Sequence, residues 1–218
     1  MKRIIIIDGG PRKTMNTAAM VDAFAKGARS ASKEIEVKHI RLYNLDYKGC
    51  VSCLACKVKD SKYTSFCAYN DGITEILKEA AFADGILFAS PLYFGDITAQ
   101  TRAFMERLFF PWLSYNEYST HAPKRVPTAF IYTMNATEEY MPQLESAFER
   151  IESLATMFLQ KPERIMALNT TQVKDYSRYD MAAFPAEGKR MWREAHWEKD
   201  LQSSFDAGRQ MADKILTA

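Results

Sequence analysis

An unbroken run of four isoleucines, Ile4 to Ile7, is followed after Asp8 by two glycines. Such a run predicts a strand buried on both faces, as in a parallel sheet. Residues 9–17 then read Gly-Gly-Pro-Arg-Lys-Thr-Met-Asn-Thr and lead into an apolar pattern with helical spacing. The sequence therefore predicts a strand, a short loop and a helix. Free N–H groups and the positive end of the helix dipole at such a turn favour an anion.

The composition of this loop suits a phosphate group. Arg12 and Lys13 supply positive charge, and we expect Asn16 and Thr17 to cap the helix. The segment has neither the Gly-Lys-Ser/Thr ending of the Walker loop nor the G-x-G-x-x-G dinucleotide pattern. The alternative interpretation is an ordinary helix N-cap turn without a ligand.

Strand and helix patterns alternate along the rest of the chain. The pattern predicts strands at 4–7, 35–40, 86–89, 129–132 and 165–168, with Ser90-Pro91 ending the third. It predicts helices at 17–31, 73–80, 103–110, 144–158 and 197–216, with Pro111 stopping the third. We expect an α/β fold with a doubly wound, five-stranded parallel sheet and helices on both faces.

One domain is expected for 218 residues, with two long extra segments at about 111–127 and 169–196. Both segments are rich in aromatic residues. They either cover a site or a neighbouring subunit, or pack on their own surface.

Charge and hydropathy exclude several classes of partner. The chain has 29 Lys and Arg against 27 Asp and Glu, a formal charge of +2, which gives no basis for binding nucleic acid or an anionic membrane. The apolar stretch at Ile4 to Ile7 is too short for a membrane span or a signal-peptide core. We therefore expect a cytoplasmic protein. Structural disulfides are rare in the cytoplasm.

Two further loops follow predicted strands. Residues 90–98 read Ser-Pro-Leu-Tyr-Phe-Gly-Asp-Ile-Thr and could flank a flat ring system; alternatively, their aromatic side chains cap the core beneath the loop. Residues 133–139 follow the fourth strand. Since all three loops leave the carboxyl ends of strands, they could meet at one site.

The four cysteines, Cys50, Cys53, Cys56 and Cys67, allow three interpretations. Their thiolates could hold a [4Fe–4S] cluster, because short spacings bring three sulfurs together and a more distant one completes the set. Four thiolates also suit tetrahedral zinc. The third interpretation is a set of free thiols in a loop.

Taken in order, the loop at 9–17, the cysteine series and the segment Ser90 to Gly95 resemble the NADPH-dependent FMN reductase family, in particular its iron–sulfur flavoprotein and multimeric flavodoxin branch. The resemblance implies a flavodoxin-like fold, non-covalent FMN and a homodimer or homotetramer. It implies that the phosphate is held by Gly10, Pro11, Arg12, Asn16, Thr17 and Ala18. The isoalloxazine ring is expected beside Pro91, Leu92, Tyr93, Phe94, Gly95, Thr133, Met134 and Asn135.

The chain departs from the family pattern at three places. Gly10 stands where the family usually has Ser, which removes one hydroxyl donor to the phosphate. The third loop carries no glycine between Thr133 and Ala136. Ten residues separate Cys56 from Cys67, a longer gap than cluster-bearing relatives usually have.

The resemblance implies an FMN-dependent oxidoreductase that passes electrons from NAD(P)H through flavin to a small-molecule or protein acceptor. No acid–base residue is required for this chemistry, and His39, His121 and His196 are interpreted as solvated or packing residues. One alternative is a flavodoxin-type or iron–sulfur electron carrier without substrate turnover. Another is a protein that binds a different phosphate ligand at the first loop.

Overall fold

A computed structural model describes all 218 residues. Its strands are β1 (Lys2–Asp8), β2 (Ile35–Arg41), β3 (Gly85–Tyr93), β4 (Asp96–Ile97), β5 (Thr128–Thr133) and β6 (Glu163–Ala167). Five of them form a parallel sheet in the order β2-β1-β3-β5-β6, while the short β4 pairs antiparallel with the end of β3. The expected doubly wound α/β fold is confirmed, with one short strand more than predicted.

Helices cover both faces of the sheet. They are α1 (Asn16–Ala31), α2 (Thr74–Ala81), α3 (Ala99–Trp112), α4 (Met141–Thr156) and α5 (Ala186–Leu216). Successive residues of a strand point to opposite faces, so Ile5 and Ile7 pack under α2, α3 and α4, while Ile4 and Ile6 pack against α1 and α5. None of the helices combines the length and apolar composition needed to cross a bilayer.

The strand order reverses direction between β1 and β3. From β1 the chain crosses to β2 on one side, and the next parallel strand, β3, is added on the other. The register pairs Asp8 at the end of β1 with Ala89 of β3. In such sheets a crevice opens at the carboxyl ends of the two strands, where ligands bind.

Two predicted boundaries around the second loop were wrong. Strand β3 continues past Ser90 and Pro91 to Tyr93, because the chain turns back through a hairpin onto β4. Pro111 does not stop α3, which ends one residue later at Trp112. A proline so close to the end removes only one of the last backbone hydrogen bonds of a helix, so its cost is small there.

The last helix begins eleven residues before the predicted start, at Ala186 instead of Trp197. Its first three turns are rich in charged residues and lack an apolar stripe, so hydrophobic periodicity could not find them. The extra segment therefore comprises residues 168–185 before the helix.

Helices α1 and α5 approach each other closely at two glycines. A Cβ on Gly27 would lie 1.8 Å from the carbonyl oxygen of Phe205, and one on Gly208 would lie 2.1 Å from that of Phe24. Ser204 also donates a 2.7 Å hydrogen bond from Oγ to the carbonyl oxygen of Met20. This contact fixes α5 beside the loop that precedes α1.

We predict that Gly27→Ala lowers the free energy of unfolding by about 1–3 kcal/mol, because the added methyl group has to push two backbones apart. Gly188→Ala on α5 is the matched control, since nothing lies within 4 Å of its Cβ position. Alanine is favoured over glycine inside a helix by about 0.5–1 kcal/mol, so this control should be neutral or stabilising. Urea denaturation measures the free energy of unfolding of both variants. Equal midpoints for Gly27→Ala and Gly188→Ala would contradict the close contact between the two helices.

Candidate functional site

The first loop is anchored by a buried carboxylate, Asp8, at the end of β1. Its Oδ1 accepts a 2.8 Å hydrogen bond from the Gly10 backbone N–H. Its Oδ2 lies 2.9 Å from His39 Nε2 and 3.1 Å from Arg41 Nη1, both on β2. Arg41 also donates to the carbonyl oxygen of Gly10 at 3.3 Å. The start of the loop is thus fixed from two sides.

The three histidines fit the interpretation as solvated or packing residues. His39 is exposed on β2 and also lies 2.9 Å from Asp8 Oδ2. His196 does pack, with its ring stacked on Trp192 at a centroid distance of 3.8 Å. His121 is exposed.

Gly9 lies where a side chain has no room, because a Cβ there would be 1.8 Å from Thr101 Oγ1. Thr98 Oγ1 donates to the carbonyl oxygen of Gly9 at 3.0 Å. At Gly10 a Cβ would lie 3.0 Å from Asp8 Oδ1, a tight contact that a small shift of the neighbours would relieve.

Asn16 and Thr17 do not cap α1, contrary to the sequence prediction. The N-cap residue is Met15, and no side chain bonds to the first turn. Asn16 Nδ2 instead donates to the carbonyl oxygen of Thr171 at 2.7 Å, and Thr17 Oγ1 lies 2.7 Å from Thr133 Oγ1. These bonds tie the first loop to the segments after β5 and β6. The backbone N–H groups of Asn16, Thr17 and Ala18 have no protein acceptor.

A cavity of about 180 Å³ opens at this point, along the carboxyl ends of β1, β3, β5 and β6. The predicted site residues that line it are Gly10, Pro11, Arg12, Asn16, Thr17, Pro91, Leu92, Tyr93, Thr133, Met134 and Asn135. The three loops expected to converge do so.

Three predicted site residues lie outside the cavity wall. Ala18 is buried in the first turn of α1. Phe94 and Gly95 form the turn between β3 and β4, both with positive φ, and the Phe94 side chain is fully exposed. The hairpin, which sequence reasoning did not foresee, carries these two residues away from the sheet edge.

The segment after β6 adds four lining residues that the sequence analysis missed, namely Thr170, Thr171, Gln172 and Met181. Met15, in the first loop, is a fifth. The Arg12 guanidinium donates to the Gln172 carbonyl oxygen. Gln172 Oε1 is buried without a hydrogen-bond partner. The sequence did contain a signal for these residues, because their segment follows the carboxyl end of a predicted strand, β6, as the other three loops follow theirs.

Helix α5 contributes a buried cation behind the third loop. Lys189 is 4% exposed, and its ammonium group donates to the carbonyl oxygen of Asn135 at 3.2 Å and to the side-chain oxygens of Asn135 and Asn169. No carboxylate pairs with it, and burial lowers the pKa of Lys189 to about 8. Lys189 holds in place a third loop that has no glycine.

The four cysteines lie around a second, smaller pocket beside α3. Cys50 and Cys53 are exposed, Cys56 and Cys67 are partly buried, and all four are free thiols. Burial raises the pKa of the Cys56 thiol, against the opposing effect of the neighbouring Lys57.

Arg107 of α3 joins the two ends of the cysteine loop. Its buried guanidinium donates to Cys67 Sγ at 2.9 Å, to Asp71 Oδ2 at 2.7 Å and to the carbonyl oxygens of Lys48 and Tyr69. Glu106 accepts from the backbone N–H of Cys50 at 3.1 Å. These contacts fix the loop to α3.

No three acidic, histidine or cysteine side chains converge closely enough to hold one metal ion. This arrangement gives neither the zinc nor the iron–sulfur interpretation direct support. An iron–sulfur cluster bonds each thiolate to a separate iron atom, so its ligands surround a volume and do not meet at a point. Four thiols around one pocket fit that donor set.

Comparison with solved structures supports the fold. The chain is similar to the NAD(P)H:quinone oxidoreductase from Methanothermobacter marburgensis, with a TM-score of 0.67 and 16% identity over 96% of each chain. It is also similar to an FMN-dependent NADH-azoreductase from Bacillus anthracis, solved in complex with FMN, with a TM-score of 0.64 and 11% identity over 99% of each chain. At these identities, the likeness concerns the fold alone.

Among curated proteins, the chain is 34% identical over 105 residues to an iron–sulfur flavoprotein of Methanocaldococcus jannaschii, covering 48% of this chain and 51% of that protein. It is 32% identical over 108 residues to an iron–sulfur flavoprotein of Archaeoglobus fulgidus, covering 50% and 46%. The chain thus spans about half the length of these relatives. A family model for NADPH-dependent FMN reductases matches residues 2–163, and the chain belongs to that family.

Proposed function

We propose that this chain binds FMN in the cavity at the carboxyl edge of the sheet and passes electrons from NAD(P)H to an acceptor. The convergence of three strand-end loops on one cavity, next to the unpaired N–H groups of α1, carries this proposal. Family membership supports the cofactor and the oxidoreductase activity. The proposed unit is the whole chain, because the segment after β6 completes the cavity wall.

The phosphate is assigned to the first loop. Gly10, Asn16 and Thr17 line this end of the cavity, and Ala18 contributes a backbone N–H group of the same helical turn. Four backbone N–H groups at a helix start have no partner inside the helix and suit an anion. Arg12 adds a positive charge that can bond a phosphate oxygen.

The isoalloxazine ring is assigned to the other end of the cavity. Pro91, Leu92 and Tyr93 form one wall, and residues 133–135 form the other. Phe94 and Gly95, at the exposed hairpin turn, would contact the ring only from the rim. Lys189 places a positive charge behind Asn135, where it favours the gain of negative charge at the ring.

Bound FMN would supply the redox chemistry, taking two electrons from a nicotinamide and passing them on, while the protein positions the ring and sets its potential. The residues around the cavity hold and orient the cofactor, and none is required to transfer a proton. The acceptor is a small molecule or a protein. We propose a homodimer or homotetramer, in line with the exposed Tyr93 and Phe94 at the rim of the cavity.

The cysteine pocket favours a second candidate function, that of an iron–sulfur electron carrier. Cys50, Cys53, Cys56 and Cys67 would hold a [4Fe–4S] cluster, with Arg107 positioning the last of them. The curated relatives named as iron–sulfur flavoproteins support this assignment. A cluster would add one-electron transfer, and zinc or free thiols are the competing states of the same residues.

We predict that Arg12→Met weakens FMN binding about ten- to hundredfold, since a hydrogen bond to a charged group contributes roughly 1.5–3 kcal/mol. Lys26→Met is the matched control, because Lys26 is an exposed cation on the same α1. Titration of apoprotein with FMN, followed by flavin fluorescence, measures both dissociation constants. Equal affinities for FMN in the two variants would show that Arg12 does not bind the phosphate.

For the cysteines, we predict about four iron atoms and matching acid-labile sulfide per chain after anaerobic purification. Cys67→Ser should lose most of this iron, because one of its ligands is gone. Val58→Ala, an exposed change in the same loop, should keep it. Wild-type protein that stays free of iron after reconstitution with iron and sulfide would exclude the cluster. Zinc or free thiols would then be the remaining interpretations of the four cysteines.

A further inference from the structure

A second groove, of about 540 Å³, adjoins the proposed flavin cavity at its phosphate end. We call it the outer groove; its walls include Asn16, Thr171, Tyr176, Arg190, Arg193 and Trp197. Met15, Asn16 and Thr171 line both the groove and the cavity. The two spaces are therefore neighbours across the first loop, at the end away from Pro91 and Tyr93.

One face of α5 forms the far wall of the groove. Arg190, Arg193 and Trp197 follow one another at spacings that place them on the same side of a helix. Arg190 is already paired with Glu187 and Glu194. Arg193 has no carboxylate partner; its Nη1 donates to Asn16 Oδ1 at 3.1 Å.

The Arg193 side chain is partly buried, and burial lowers the pKa of its guanidinium from the ordinary value. Glu198 acts on this cation electrostatically but makes no ion pair with it, so Arg193 remains available to an anion. Asn16 joins this cation to the first loop, because its Nδ2 bonds the Thr171 carbonyl while its Oδ1 accepts from Arg193.

Flat aromatic side chains complete the groove. The Arg193 guanidinium lies 4.1 Å from the centre of the Trp197 ring, and Tyr176 stands on the segment after β6. Lys174 adds an exposed cation at the edge. A cationic centre beside aromatic surfaces suits a phosphate that carries a planar base.

We propose that the outer groove is a subsite for an adenosine phosphate, and that it receives the AMP half of FAD when FAD occupies the flavin cavity. The inference rests on the proposed assignment of the flavin phosphate to the first loop. FAD differs from FMN by an AMP group attached at that phosphate. With the flavin phosphate at the first loop, the AMP group would be next to Asn16 and Thr171, which line both spaces. The adenosine part of a free nicotinamide nucleotide has the same chemistry, but it has no link to this phosphate.

The test compares FMN and FAD on apoprotein by fluorescence titration, using the ratio of the two dissociation constants within each variant. This ratio cancels any general damage to the first loop. We expect wild-type protein to bind FAD at least as tightly as FMN. Arg193→Gln should shift the ratio about tenfold against FAD, and Lys174→Gln should shift it less in the same direction. Arg209→Gln, an exposed change further along α5, should leave the ratio unchanged.

Each other outcome overturns the inference. If FMN binds but FAD binds at least tenfold more weakly in every variant, the subsite is wrong while the proposed function stands. If neither flavin binds, the proposed function fails with it. A third arm adds ADP to FMN-loaded protein: binding that depends on Arg193, without any preference for FAD, would assign the groove to a separate nucleotide and overturn the FAD assignment.

Discussion

A buried carboxylate at the carboxyl end of β1 holds the candidate site together. Asp8 is fully buried and accepts from Gly10 while facing His39 and Arg41. Removing a buried charge's partners typically costs about 3–5 kcal/mol, so this group and its partners are interdependent. Because Arg41 also bonds the Gly10 carbonyl, the neighbouring strand sets the path of the loop. Asn16 and Thr17, at the start of α1, line the cavity beside this loop.

Helix α3 connects the two candidate redox sites. At its start, Thr98 and Thr101 pack against Gly9 of the first loop. In its middle, Glu106 and Arg107 hold the cysteine loop. A single helix of 14 residues therefore contacts both the first loop and the cysteine loop.

The sequence was sufficient for the features that depend on local pattern. Buried strands such as Ile4 to Ile7 have no other stable environment, and the loops that follow them must meet at one edge of a parallel sheet. The fold and the converging loops were therefore predictable. The exact roles of Asn16 and Thr17 were not, because their partners lie more than a hundred residues away in the chain.

The same limit explains the residues that were missed. Lys189 and Arg193 belong to a polar stretch of α5 with no apolar stripe, and their importance comes only from the loops they reach. The hairpin turn at Phe94 and Gly95 was not foreseen because a two-residue strand, β4, gives too short a pattern to recognise. In each case a tertiary contact, and not a local preference, decided the position.

The decisive measurement is an anaerobic titration of FMN-reconstituted protein with NADPH, followed by absorption spectroscopy. The proposed function predicts a spectrum of bound flavin that loses its visible absorption as about one equivalent of NADPH is added, since both cofactors exchange two electrons. NADH serves as the parallel donor. Flavin that binds but stays oxidised with both donors would contradict the reductase assignment and favour an electron carrier.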